Sequence, residues 1–176
     1  MSMNRIVLIM LIVFVLEGAL MPWIIPNSYG DRIIPHFTFV MVIFASMYGG
    51  RHQALALGMG FGLLQDIMYY GHVMGTHFFF MGLIGYLSGI LLERKKATIM
   101  LAISTIGFAT IGYDSALYFV NKVFKLTTGS YPWALIQYIL PSLFLQLVFS
   151  LCIYIPVRKM FELGKQRRSS DSAEEL

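Results

Sequence analysis

The sequence predicts an all-α, polytopic membrane protein with six transmembrane helices, on three observations. Of the 176 residues, 57% are hydrophobic and only 12% are charged, whereas soluble domains average about 45–50% and about 25%. The mean hydropathy is +0.71, which leaves too little polar surface to solvate a globule. The apolar residues also come in blocks of about 18–25, the length at which a helix crosses the hydrocarbon core. One compact bundle accounts for the whole length, without a separate soluble domain.

Short polar breaks divide the chain into six apolar blocks, each predicted to be one spanning helix. The breaks are PNSYGDR after the first block, GGRH after the second, ERKK after the fourth and NKVFKLTTGSYP before the sixth. The blocks cover residues 6–25, 33–50, 53–71, 76–92, 97–121 and 133–156. Pro35 lies near the start of the second block, where a helix tolerates proline. The predicted organisation is a transmembrane bundle over residues 1–157 and a cytoplasmic tail over 158–176.

The first block begins like a signal peptide, because an apolar run follows Arg5. The run continues to Trp23, contains Glu17 and has no A-x-A-like cleavage site. We therefore expect a retained first helix. The single cysteine, Cys152, permits no intrachain disulfide.

The positive charges predict the orientation, since cytoplasmic loops are enriched in Lys and Arg. One side of the predicted bundle holds ten of the thirteen, namely Arg5, Arg51, Arg94, Lys95, Lys96, Arg158, Lys159, Lys165, Arg167 and Arg168. The other side holds only Arg32, Lys122 and Lys125. Both termini are therefore predicted in the cytoplasm. The basic residues are dispersed over loop ends, so nucleic-acid binding is not expected.

The predicted tail is basic first (RKMFELGKQRR) and acidic last (DSAEEL). Two interpretations stay open: a juxtamembrane segment on anionic lipid, or a docking segment for a cytoplasmic partner.

Small residues and a carboxylate share one face of the predicted third helix. Gly58, Gly62 and Asp66 follow each other at intervals of four, and residues four apart lie on one helix face. A G-x-x-x-G pair lets another backbone approach closely, so this face should meet protein rather than lipid. The predicted fourth helix repeats the pattern with Gly82, Gly85 and Gly89.

Two further carboxylates, Glu17 and Asp114, fall within predicted spans, where an ionisable group is expensive unless it is paired or protonated. For all three acids the sequence leaves three roles open: a hydrogen bond to a neighbouring helix or helix N-terminus, binding of a partner helix, or a proton or ligand pathway. The absence of Lys or Arg in the middle of any predicted span disfavours a pathway. Polar residues also recur every four residues in the sixth block, at Tyr138, Ser142, Gln146, Ser150 and Tyr154.

No catalytic, cofactor-binding or metal-binding residue is predicted. His72 and His77 are too weakly spaced to indicate a metal site, and no H-E-x-x-H motif occurs. Ser88 does not lie in a G-x-S-x-G elbow. We therefore expect a protein that is not an enzyme.

The segment PHFTFVMVIFASMYGGRHQALALGMGFGLLQDIMYYGHVMGTHFFFMGLIGYLSG, residues 35–89, resembles the core of the rod shape-determining protein MreD family. The matching positions are a proline opening the second helix, a basic turn, the glycine–aspartate pattern, a short Met-Gly loop and a glycine in the fourth helix; these are Pro35, Arg51, Gly58, Gly62, Asp66, Met74, Gly75 and Gly85. Many relatives carry an acid after the proline, where this chain has His36, so no role of that acid is carried over.

The resemblance implies a non-catalytic component of the bacterial cell-elongation machinery in the cytoplasmic membrane. It implies a fold similar to the S components of energy-coupling vitamin transporters. It also implies association with MreC, a bitopic membrane protein, and through it with MreB, RodA and a class B penicillin-binding protein that makes peptidoglycan. On this basis Gly58, Gly62, Asp66, Gly85, Gly89, Glu17 and Asp114 are candidates for helix packing or partner positioning. The alternative is a substrate-binding subunit of a vitamin transporter, which requires an outward-facing pocket with convergent polar groups.

Overall fold

A computed structural model describes residues 3–24, 35–68, 73–92 and 98–174. It describes side chains as far as residue 160, except at residues 20–24. Within these ranges every regular element is a helix, as the sequence predicts. The helices are α1 (Met3–Ile24), α2 (Phe37–Gly49), α3 (Arg51–Met68), α4 (Thr76–Leu92) and α5 (Ile99–Val123). The sixth, α6, is continuous over three segments: Tyr131–Ala134, a π-helical turn at Leu135–Ile139, and Leu140–Glu174.

Each of the six predicted blocks overlaps one of these helices, and the bounds of α4 agree with the prediction. The second helix begins four residues later than predicted, at Phe37, after Pro35 and an N-cap at His36. His36 has non-helical backbone angles, φ −124° and ψ 54°, so the helix begins only after it. The sixth helix extends beyond its predicted block in both directions and continues through most of the predicted tail.

Two stretches of the described chain are long and apolar enough to cross a membrane, Ile99–Val123 and Tyr131–Met160. Phe37–Gly49 and Thr76–Leu92 are apolar but shorter. By length and composition, therefore, each of the last two helices is able to cross a membrane.

The second helix is the central element of the bundle. Every residue from Phe37 to Ser46 is buried, and α2 packs against α1, α3, α4, α5 and α6. Its aromatic side chains mark these contacts, because Phe37 stacks on Phe149 of α6 with ring centroids 4.1 Å apart and Phe39 stacks on Tyr113 of α5 at 4.5 Å. A helix apolar on all sides is expected in such a position.

Two glycines allow the tight connections around α3. Gly50 separates α2 from α3 with φ +94°, and Gly75 precedes α4 with φ +90°. Residues other than glycine rarely adopt this backbone region. The predicted basic turn between the second and third helices is thus a single-residue reversal.

The π-helical turn in α6 lies just before Pro141. A proline has no N–H to donate, and its ring crowds the carbonyl of the residue four positions earlier, which here is Gln137 inside the π turn. A local π-bulge relieves this crowding without ending the helix.

Candidate functional site

The four candidate glycines lie in the seam between α3 and α4, where the two backbones touch. A Cβ atom on Gly62 would lie 2.5 Å from the carbonyl oxygen of His77, and one on Gly58 would lie 2.6 Å from that of Met81. In α4, a Cβ on Gly89 would lie 2.5 Å from Cα of Arg51. Real Cβ contacts at such distances do not occur, so this seam requires glycine.

Gly85 continues the same seam toward α2. An added Cβ would lie 3.2 Å from the carbonyl oxygen of Ala54 and 2.7 Å from a methyl group of Val42. Gly60 points elsewhere, since no atom lies within 4 Å of an added Cβ there. The seam is therefore filled by the chain itself.

Asp66 closes the seam at the start of α4. Its Oδ2 accepts a hydrogen bond from the backbone N–H of Phe78 at 2.9 Å, and its Oδ1 accepts one from the backbone N–H of His77 at 3.2 Å. The first N–H groups of a helix have no partner within the helix, and the helix dipole favours a negative charge there. Asp66 thus caps α4 from the neighbouring helix, and Gly62, one turn away, permits the approach.

Glu17 has the same function at the start of α2. Its Oε2 accepts hydrogen bonds from the backbone N–H and the hydroxyl of Thr38, both at 2.8 Å. Its Oε1 accepts a third bond from the side-chain amide of Gln65 at 3.3 Å. The carboxylate therefore joins α1, α2 and α3 in the buried interior. Both acids thus accept hydrogen bonds at the start of a neighbouring helix.

Asp114 differs from the other two buried carboxylates. Its Oδ1 lies 3.7 Å from Nε2 of His36, at the N-cap of α2. Its Oδ2 has no hydrogen-bond partner, and neither has Nδ1 of His36. Both side chains are at least nine-tenths buried, with exposed fractions of 10% and 7%.

Aromatic and imidazole rings connect these groups into one cluster. The ring of Tyr113 meets His36 edge-on at 5.1 Å between centroids. Its hydroxyl lies 2.5 Å from Nδ1 of His77, in the first turn of α4. We call the set Glu17, His36, Thr38, Gln65, Asp66, His77, Tyr113 and Asp114 the polar cluster. It lies where α2 and α4 begin.

A second polar contact joins α5 to α6. The hydroxyl of Thr110 donates to the side-chain oxygen of Gln146 at 2.7 Å, and both residues are fully buried. Ser142, Ser150 and Tyr154, on the same stripe of α6, are also buried. This stripe therefore faces the bundle.

The residues weighed for chemistry do not assemble into a catalytic or metal site in the part of the chain that the structure describes. Ser88 is buried in α4, and His77 is bonded to Tyr113. His72 lies outside the described residues. No group of three or more His, Cys, Asp or Glu residues is placed to hold a metal ion within the described ranges.

Sequence reasoning missed four members of the polar cluster: His36, Thr38, Gln65 and Tyr113. Glu17, for example, bonds to Thr38, which is 21 positions away, and to Gln65, which is 48 positions away. A periodicity among neighbouring residues cannot predict such pairs. The available signal was weaker: Gln65 and Tyr113 each precede one of the acids.

Two helices long and apolar enough to cross a membrane, close glycine contacts between helices and buried carboxylates bonded to helix starts are together typical of an α-helical membrane protein. Residues 2–163 match the family of the rod shape-determining protein MreD. The chain therefore belongs to this family, whose members are membrane proteins that determine cell shape. No curated protein and no solved structure matches the chain.

Proposed function

We propose that this protein is a non-catalytic membrane scaffold of the bacterial cell-elongation complex. In this proposal it binds the transmembrane helix of an MreC-type bitopic partner and helps to organise peptidoglycan synthesis, with MreB, RodA and a class B penicillin-binding protein connected indirectly. The match to the MreD family over residues 2–163 carries the proposal.

The distribution of polar and apolar side chains supports a scaffold. Glu17 and Asp66 are bonded to helix starts of the same chain. The surface is apolar instead: the exposed large side chains include Leu8, Leu11, Ile12 and Val15 on α1, Leu63 and Ile67 on α3, and Leu83 and Leu87 on α4. Membrane helices associate through close packing and a few hydrogen bonds, so such faces suit contact with lipid or with a partner helix.

The proposed topology is six spans in the bacterial cytoplasmic membrane, with both termini in the cytoplasm. Ten of the thirteen Lys and Arg residues lie on the cytoplasmic side in this arrangement. At 13 residues, α2 is shorter than the roughly 20 residues of a typical span. Its burial on all sides supports a central position, in which neighbouring helices rather than lipid surround it. We also propose that the six helices adopt a fold similar to that of transporter S components.

Co-purification tests the proposal. The tagged full-length chain is extracted in mild detergent together with the MreC-type protein of the same bacterium, and an unrelated bitopic membrane protein with the same tag serves as the control. We expect specific retention of the MreC-type protein. Retention of a transporter ATPase module in its place would refute the scaffold and favour the vitamin-transporter alternative.

A further inference from the structure

The sixth helix continues well beyond its apolar part. It is helical throughout residues 131–174, and the large exposed apolar side chains described on it end at Ile155, which is 62% exposed. Arg158 and Lys159 follow within about one turn, and both side chains are exposed. Val157, between them and Ile155, is still buried in the bundle. Basic side chains therefore appear on α6 where its apolar outer surface ends, while the helix still packs on its neighbours.

The start of α1 lies at the same end of the bundle. The side-chain amide of Gln53, in the first turn of α3, donates to the sulfur of Met3 at 3.1 Å. Phe44, in the second half of α2, and Tyr154 of α6 have ring centroids 6.3 Å apart. Because α3 follows directly on α2, these contacts put the exposed side chain of Arg5 at the end of the bundle where α6 leaves it.

The chain itself supplies little negative charge at this end. Among the described side chains, no carboxylate lies within salt-bridge distance of Arg5 or Lys159. Residues 158–168, which we call the basic segment, contain five Lys or Arg residues and one acid, Glu162. The counter-charge for this excess therefore has to come from outside the chain.

The order of charges along α6 favours a membrane surface as the source of that counter-charge. At about 1.5 Å per residue, Arg168 lies about 15 Å beyond Arg158, whereas Asp171 and Glu174 lie about 20 Å and 24 Å beyond it. The headgroup layer extends about 5–8 Å from the hydrocarbon core. The potential of an anionic surface then decays over about 8 Å at physiological salt.

If α6 leaves the hydrocarbon core at Arg158 and follows the membrane normal, the basic segment thus ends where the surface potential has largely decayed. Its positive charges are within reach of that potential, and Asp171 and Glu174 are beyond it. Binding to an acidic protein would not require the charges to be ordered by their distance from the membrane. Of the two roles that the sequence leaves open for this segment, the lipid surface is the one that explains the order.

We propose that the basic segment, together with Arg5, is a binding surface for anionic phospholipids of the surrounding bilayer. Guanidinium and ammonium groups bind the headgroup phosphates through charge-assisted hydrogen bonds. The surface selects anionic over zwitterionic lipid and fixes the depth of α6 in the membrane. The acids at the end of the helix limit the surface, because an anionic membrane repels them.

Spin-labelled lipids test the proposal with the full-length protein in phosphatidylcholine bilayers. Electron spin resonance measures how much labelled phosphatidylglycerol or phosphatidylcholine is immobilised at the protein surface, which gives the ratio of the two association constants. One basic residue near an anionic surface contributes a factor of about five. We therefore expect a ratio of at least about five in favour of phosphatidylglycerol at low salt, and a smaller ratio at high salt.

Variants locate the preference on α6. The ratio should approach one when all five basic residues of the segment are neutralised, by Arg158→Gln, Lys159→Gln, Lys165→Gln, Arg167→Gln and Arg168→Gln. A matched pair of single variants compares the two ends of the bundle. Lys159→Gln should lower the ratio more than Lys122→Gln, because Lys122 belongs to no such segment and its Nζ lies 5.5 Å over the ring of Tyr118.

A charge-order variant separates the order of the charges from the composition. Arg167→Asp, Arg168→Glu, Asp171→Arg and Glu174→Arg together keep the composition and the net charge, but they exchange the near bases for the distant acids. We expect a ratio between those of the wild type and the neutralised variant.

Three results would overturn the proposal: equal association of the two lipids with the wild type, an unchanged ratio in the neutralised variant, or an unchanged ratio in the charge-order variant. The first comparison needs no variant, so it decides even where a variant fails to fold. Equal association would leave docking of a cytoplasmic partner as the role of the segment. None of these measurements involves an MreC-type protein, so their failure is distinguishable from failure of the scaffold.

Discussion

Replacement of Gly62 by alanine probes the α3–α4 seam most sharply. The new methyl group would be placed 2.5 Å from the carbonyl oxygen of His77 and 2.7 Å from Cα of Phe78. Both atoms belong to the backbone at the start of α4, so no side chain can rotate away. The two helices have to separate at this point.

The magnitude follows from two contributions. Overpacking in a tight contact costs about 1–3 kcal/mol. Separation of the helices also lengthens the two bonds by which Asp66 accepts from His77 and Phe78, and hydrogen bonds to charged groups contribute about 1.5–3 kcal/mol each. Partial loss of these bonds gives a total of about 2–5 kcal/mol. At Gly60, where an added Cβ meets nothing within 4 Å, alanine should be neutral or stabilise the helix by up to about 1 kcal/mol.

The assay is equilibrium unfolding in mild detergent with sodium dodecyl sulfate, together with the yield of monodisperse protein after extraction. Gly62→Ala and Gly60→Ala differ by one methyl group on the same helix, which makes them a matched pair. We expect Gly62→Ala to unfold at a clearly lower detergent fraction, and leucine at the two positions to widen the gap. Equal losses of stability at positions 60 and 62 would refute the tight contact that we assign to Gly62 between α3 and α4.

The remaining predictions concern the helix caps and the orientation. Asp66→Asn should lower the free energy of unfolding by about 1–3 kcal/mol, because the amide keeps only one acceptor and turns its NH2 toward an N–H donor. Asp66→Leu should lower it further. Unfolding titrations in which the two variants are equally stable would contradict the capping geometry. Thr38→Val removes the hydroxyl that donates to Glu17 and should cost about 1.5–3 kcal/mol in the same titration, whereas an unchanged midpoint would show that this bond is not stabilising. With Cys152→Ser as background, a cysteine replacing Ser170 should react with an impermeant maleimide only after spheroplasts are permeabilised, and labelling of intact spheroplasts would reverse the topology.

Local pattern was sufficient for the parts of the fold that depend on neighbours in sequence. Blocks of apolar residues located all six helices, because a helix that meets lipid or a membrane-like interior needs a long apolar stretch. Spacing by four placed Gly58, Gly62 and Asp66 on one face, and that face packs against α4. The predicted start of α2 was less accurate, because the apolar pattern does not report that Pro35 and His36 stay outside the helix.

The polar cluster could be anticipated only in part. The three acids stood out because charges are rare in apolar segments, but their partners are set by how helices distant in sequence meet. The bond between Glu17 and Thr38 and the bond between His77 and Tyr113 are of this kind. The donors that face Asp66 are likewise backbone N–H groups of a helix eleven and twelve positions further along the chain.

Complementation of cells depleted of the native protein tests the central claim most directly, because it measures partner capture and cell shape in the same cells. The full-length wild type and Gly60→Ala should restore rod shape and retain the MreC-type partner in detergent extracts. Gly62→Ala should lose both in proportion to its loss of folded protein. Rod-shaped cells in which the wild type captures no MreC-type partner would contradict the account.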